Sequence, residues 1–139
     1  MSNYIPKNLE FDQSGRDKLI SGITKISKAV KSTLGPRGKT VLIESPEHIG
    51  GMTITKDGVT VANSIFLEDP VENLAVQMLK DAARRTANSA GDGTTTAIVL
   101  TEAIIKAGEN NLTKENNITE VVKAINVFSK IVLKELKKK

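Results

Sequence analysis

The chain has 139 residues, 39% hydrophobic and 26% charged, with 3% aromatics and no cysteine. That size and balance fit one soluble globular domain with an aliphatic core, and they exclude disulfides and thiolate metal sites. The opening stretch MSNYIPKNLEFDQSG lacks an apolar signal core, and no run approaches the ~20 apolar residues of a membrane span. The expectation is a cytoplasmic protein with no membrane partner.

The net charge is +4, and the last ten residues, KIVLKELKKK, account for all of it with five lysines and one glutamate. The rest of the chain is balanced. The basicity therefore belongs to a helix end favoured by the helix dipole, and no nucleic-acid partner is expected.

The first predicted helix opens at Ser14 as N-cap, with Asp17 in the capping box. Leu19, Ile23, Ile26, Val30 and Leu34 recur at helical spacing, and Gly35 and Pro36 stop the run. TVLIES and MTIT, separated by a loop holding PEHIGG, read as a β-hairpin. TKDG (residues 55–58) is a turn, and VTVANSIF a short helix. EDPVENL starts the next helix, with Asp69 as cap, Pro70 in its first position and Glu72 closing the box. Its expected face is Val71, Leu74, Ala75, Met78, Leu79, Ala82 and Ala83, ending near Ala90–Gly91. TTTAIVLTEAII opens a fourth helix, with Gly108 expected to end it. Ala97 to Ile105 is apolar nearly all round, a pattern that asks for partners on every side. The last helix is capped by Asn117, with Glu120 in the box and a stripe of Val121, Val122, Ile125, Phe128, Ile131 and Val132. The expected fold is mainly α with one small β-hairpin. Met52 and Met78 read as core filler, and His48, the single histidine, has no assigned role.

The chemistry concentrates in SAGDGTTTAIVL (residues 89–100). A helix N-terminus offers free amides and partial positive charge to phosphate, and glycines let the backbone approach an anion closely. An aspartate there repels phosphate unless Mg²⁺ lies between them, held by one carboxylate and phosphate oxygens. Asp92 is thus either a magnesium ligand, with Gly93, Thr94, Thr95 and Thr96 around the phosphates, or an ordinary helix N-cap. GPRGKT (residues 35–40) is not a P-loop: two residues separate its glycines where four are required, and a helix precedes it where a strand should. Asp57, in a Lys-Asp-Gly turn, reads as turn chemistry or as a group that positions water.

TLGPRGKTVLI, TITKDGVTVANSIFLEDPVENLAVQMLKDAA and AGDGTTTAIVLTEAII resemble, in order and spacing, the N-terminal part of group I chaperonins, the GroEL type. The resemblance runs from about Leu9 and implies the helical equatorial domain of a subunit that binds ATP with Mg²⁺ and K⁺. By that resemblance Thr33, Leu34, Gly35 and Pro36 line the nucleotide, and Lys56 touches it through its backbone. Asp92 holds Mg²⁺, and Gly93, Thr94, Thr95 and Thr96 wrap the phosphates. Asp57 assists the attacking water, and Thr33, Lys56 and Thr95 neighbour K⁺. The loop PEHIGGM is longer than the family pattern, and VVKAIN stands where that pattern has arginine and glycine.

The resemblance further implies that residues 1–139 are the N-terminal half of the equatorial domain. The principal catalytic aspartate, the adenosine-gripping residues and the intermediate and apical domains would lie elsewhere. The implied activity is ATP-driven protein folding in a ring of identical subunits. The isolated chain is expected to be a very weak ATPase at most, with co-chaperonin and unfolded clients met only through the missing domains. Other readings are an assembly partner or decoy of chaperonin rings, a nucleic-acid binder using the basic tail, and a helical module without ligand. The apolar fourth helix predicts an oligomeric, partner-bound or partly molten state for the chain alone.

Overall fold

The computed structural model describes residues 9–44, 51–113 and 115–138. Its elements are α1 (Asp12–Lys31), β1 (Val41–Glu44), β2 (Met52–Thr55), α2 (Gly58–Ser64), α3 (Pro70–Ala90), α4 (Thr94–Asn111) and α5 (Ile118–Leu136). The fold is mainly α with one two-stranded antiparallel sheet, as expected. The chain divides into two compact units, one up to Lys106 and one from Ala107.

In the first unit α1 and α3 run side by side in the same direction, since Lys18 pairs with Asp69 and Lys25 with Glu72. Gly22 makes the seat possible. A Cβ there would lie 2.3 Å from the Glu72 carbonyl oxygen, so the two backbones touch. Ile26 and Val30 of α1, Val61 and Ala62 of α2, Val76, Leu79 and Ala83 of α3 and Ile98 of α4 form the buried core. Val41 and Ile43 of β1 pack on it from the hairpin. Their partners in register are Thr55 and Thr53, so one hairpin face is inward and the other carries Leu42, Ile54 and Met52, all exposed. A lone two-stranded hairpin is marginal in water, and the core contact of β1 stabilises it. The hairpin loop, including His48, lies outside the described residues.

Several expectations change. α1 begins at Asp12 with Phe11 as an N-cap that makes no side-chain bond. Ser14 is therefore inside the helix, its hydroxyl donating to Glu10, and Asp17 accepts from Gln13. The apolar stripe ends at Val30, because the helix ends at Lys31 and Leu34 is exposed in the turn beyond. Asp69 does cap α3, accepting from the Val71 and Glu72 amides, with Pro70 first in the helix. Glu72 does not close the box: its carboxylate turns to Ser21 and Lys25 of α1 instead. The α3 face is rotated from the expected one. Ala75, Val76, Leu79, Lys80 and Ala83 are buried, whereas Leu74, Met78 and Ala82 are exposed. The close seat at Gly22 sets that rotation. Met52 and Met78 are thus surface residues rather than core filler.

α4 passes Gly108 and ends at Asn111, since one internal glycine costs only about 1 kcal/mol. Its buried residues are Thr94, Ile98 and Glu102, one stripe at fourfold spacing, while Leu100 and Ile104 are more than half exposed. In the second unit, Asn116 receives the Thr113 amide and hydroxyl, and Asn117 caps α5 by accepting from the Thr119 amide. No residue of α5 is buried.

Candidate functional site

Three chain segments meet at Gly58, the first residue of α2. A Cβ there would fall 2.1 Å from the Thr95 hydroxyl oxygen and 3.2 Å from that of Thr33. The turn after α1, the N-terminus of α2 and the first turn of α4 therefore share one spot. Each segment has a local reason for its shape. After α1, Gly35 sits at φ 77°, which favours glycine, and the turn closes with Gly38 N–H donating to Gly35 O and Lys39 N–H to Ser32 O. A Cβ on Gly38 would lie 2.2 Å from the Thr33 carbonyl oxygen, so this turn packs backbone on backbone. The Thr33 hydroxyl donates to Val30 O at 2.7 Å.

At α2, Asp57 is the N-cap. Its carboxylate accepts from the Val59 amide, the Thr60 amide and the Thr60 hydroxyl at 3.3, 2.9 and 2.6 Å. The Thr60 hydroxyl and then the Thr60 amide hold the Asp57 carboxyl below its usual range, against a smaller upward push from burial. Asp57 is therefore ionised near neutrality with its capping bonds formed. Lys56, just before it, is exposed.

At α4, Gly91 and Gly93 have φ of 77° and 89°, and between them the Asp92 carboxylate accepts from the Gly93 amide at 2.6 Å. Gly93 O receives the first intrahelical bond, from Ala97. Among the described residues, no side chain bonds to the amides of Thr94, Thr95 or Thr96. α2, α3 and α5 carry side-chain caps from Asp57, Asp69 and Asn117. An uncapped first turn behind two left-handed glycines is chemically open to an anion. Thr94 is buried, Thr95 half-buried and Thr96 exposed.

The fold thus brings together Thr33, Thr95 and the Lys56–Gly58 turn. Asp92 is three residues from Thr95, within about 11 Å along the chain. Asp92 and Asp57 share no hydrogen bond among the described residues. Leu34, Gly35 and Pro36 are exposed on the α1 turn. Among the described residues, no three His, Cys, Asp or Glu side chains cluster. The available oxygen donors are the Asp92 carboxylate, the Asp57 carboxylate in its capping bonds, threonine hydroxyls and carbonyls. That set fits a Mg²⁺ ion carried on phosphate oxygens and suits oxygen-ligated K⁺.

Sequence reasoning missed Gly58, whose lack of a side chain lets Thr95 approach; the Asp-Gly dipeptide reads as a turn and hides this second role. It also missed Glu102 and Lys80. Glu102 is buried on α4 and pairs with Lys31 at the end of α1 and with Lys106 at 2.8 Å. Burial pushes its carboxyl up, but the hydrogen bonds and charges of Lys106 and Lys31 prevail and hold it low. Lys80 is buried on α3, where burial, with a smaller contribution from Arg84, lowers its ammonium from the usual lysine range. Its position four residues after Val76 and three before Ala83 was the available signal.

The model of the TCP-1/cpn60 chaperonin family matches residues 26–139. Two crystal structures of the chaperonin gp146 from the bacteriophage EL 2 (Pseudomonas aeruginosa), both in the presence of ATP-BeFx, are similar to this chain. Crystal form II has 33% identity and form I 32%, each with a TM-score of 0.66 over 73% of this chain. The match spans 18% of the length of those phage chains. On the family match across most of its length, the chain belongs to the TCP-1/cpn60 chaperonin family.

Proposed function

We propose that this chain is the N-terminal half of a chaperonin equatorial domain and binds the triphosphate of ATP with Mg²⁺ and K⁺. The convergence of Thr33, Gly58 and Thr95 carries the reading, because it joins the three chemistry-bearing segments at one place. The uncapped α4 amides and the ATP-BeFx of the phage neighbours support it. Asp92 holds Mg²⁺, and Gly93, Thr94, Thr95 and Thr96 take the phosphates. Thr33, Leu34, Gly35 and Pro36 border the nucleotide. The Thr33 and Lys56 carbonyls and the Thr95 hydroxyl neighbour K⁺, and Asp57 assists the attacking water. In a complete ring subunit these groups serve ATP-driven protein folding in the cytoplasm.

The proposed phosphate-binding residues lie in this chain, and by the family resemblance those that grip the adenosine do not, so Mg-ATP should bind weakly, in the ~millimolar range or above, with little choice among ATP, GTP and CTP. Calorimetry with the three nucleotides tests this, and micromolar adenine-selective binding refutes it. Asp92→Ala should abolish the magnesium dependence of binding. Asp57→Asn is the suitable change at the capping position, because asparagine caps as well as aspartate. In a full-length subunit it should lower hydrolysis per bound ATP and leave binding intact.

A second reading, a partner of other chaperonin subunits, draws on the exposed Leu42, Met52 and Ile54 of the hairpin. Pull-down with a full-length chaperonin separates it from the first.

A further inference from the structure

Lys80 is 2% exposed, and its Nζ donates to Asn63 O at 3.0 Å and Ile65 O at 2.6 Å. The Phe66 ring centroid lies 4.5 Å from the same Nζ. An ammonium is buried at high cost unless its donors are used. Here two go to carbonyls at the C-terminal end of α2, and a ring face stands near the charge. Those carbonyls are among the ones a helix end leaves unsatisfied, and a cation there also matches the dipole.

α2 has seven residues. A helix that short is unstable alone and takes its position from what it packs on and what holds its ends; Val61 and Ala62 seat its middle in the core. Asp57 caps one end, and that end abuts Thr95 and Thr33 through Gly58. Lys80 holds the other. At ~1.5 Å per residue, α2 is about 10 Å long, so a shift at Ile65 is carried as a rigid unit to Gly58. We propose that Lys80 is a positioning residue for the candidate nucleotide site, acting through α2 from the end opposite the nucleotide. This rests on the nucleotide reading of the site, and it adds a residue on α3, outside all three site segments.

Amide hydrogen exchange on the 139-residue chain tests it, with Mg-ATP calorimetry alongside. Lys80→Met keeps the stem and removes the charge. It should speed exchange at Val59 and Thr60, at the far end of α2, by roughly tenfold. The Val71 and Glu72 amides, capped by Asp69 on the helix that bears Lys80, should stay as they are. Lys80→Arg should restore much of the protection. Phe66→Ala alters an exposed side chain (74% exposed) and folds regardless; it should speed Val59 and Thr60 by about two- to threefold. Unchanged Val59 and Thr60 exchange in Phe66→Ala and in folded Lys80→Met overturns the proposal, as does an equal rise across α3. Mg-ATP affinity should fall with the protection in Lys80→Met. If the wild-type chain binds no Mg-ATP yet α2 loosens, the clamp stands and the nucleotide reading fails. If the wild-type chain binds and the loosened variant binds equally well, positioning is overturned.

Discussion

α3 and α4 follow one another, have similar lengths and are held in opposite ways. α3 is the less apolar helix, yet it sits backbone to backbone on α1 and buries Ala75, Val76, Leu79 and Ala83. α4 is the more apolar, yet its buried stripe is Thr94, Ile98 and Glu102, with Leu100 and Ile104 facing out. Their N-termini differ too. Asp69 caps α3, whereas the first amides of α4 bond to no side chain among the described residues. The contrast teaches that apolar content does not say how firmly a helix is seated. Pattern and close approach do. α3 is seated along α1 and capped, whereas α4 is anchored chiefly by Ile98 and leaves its first amides without a side-chain partner among the described residues.

Burial on α4 rests on one apolar side chain, so Ile98→Ala should cost about 3–4 kcal/mol through transfer and cavity loss. Leu100→Ala, two residues away and exposed, should stay within about 0.5 kcal/mol. Urea melts of both variants measure the difference, and equal costs would mean that α4 is buried on both sides. Where α1 meets α3, Gly22→Ala on α1 should cost about 2–3 kcal/mol by forcing the helices apart, despite the helix-propensity gain of alanine. Calorimetric Tm reports this directly, and a stabilised variant would show that the helices need not touch.

Acid should act on both helices, since Asp69 and Glu72 at the start of α3 are held low as Glu102 of α4 is, but Glu102 is the buried carboxylate. The folded pKa of Glu102 is depressed, so its contribution is complete above its unfolded value near 4.5 and is lost as pH falls through the folded value. Glu102→Gln should be less stable than wild type at neutral pH and lose less stability below pH 4.5. Melts across the acid range, compared with wild type, decide it. A variant with an unchanged acid profile would remove Glu102 from the account.

The smallest contrast between the two helices lies at their N-terminal ends. Asp69→Ala should cost about 1 kcal/mol, from its two capping bonds and partly exposed pairing with Lys18. Asp92→Ala, without nucleotide, should change stability by a few tenths of a kcal/mol, since its carboxylate bonds only the neighbouring Gly93 amide. Thermal melts of the pair measure the gap, and an equally large loss at Asp92 would make it a structural cap.

Much of this molecule was determined by local sequence alone. The hairpin strands, the starts of α2, α3 and α5 and the end of α3 at Gly91 follow from spacing, caps and turn residues, all short-range effects. AGDGTTT marked the α4 terminus for the same reason, because two left-handed glycines and an uncapped first turn are properties of a few successive residues. The helix faces were decided only in three dimensions. Gly22 allows α3 to approach and thereby rotates Leu74 and Met78 outward while drawing Lys80 in. The meeting of Thr33, Gly58 and Thr95 was likewise beyond local pattern, since residues 33, 58 and 95 are joined by packing and by no periodicity. Local chemistry selected the elements; long-range sterics chose which of their faces are buried and which ends meet.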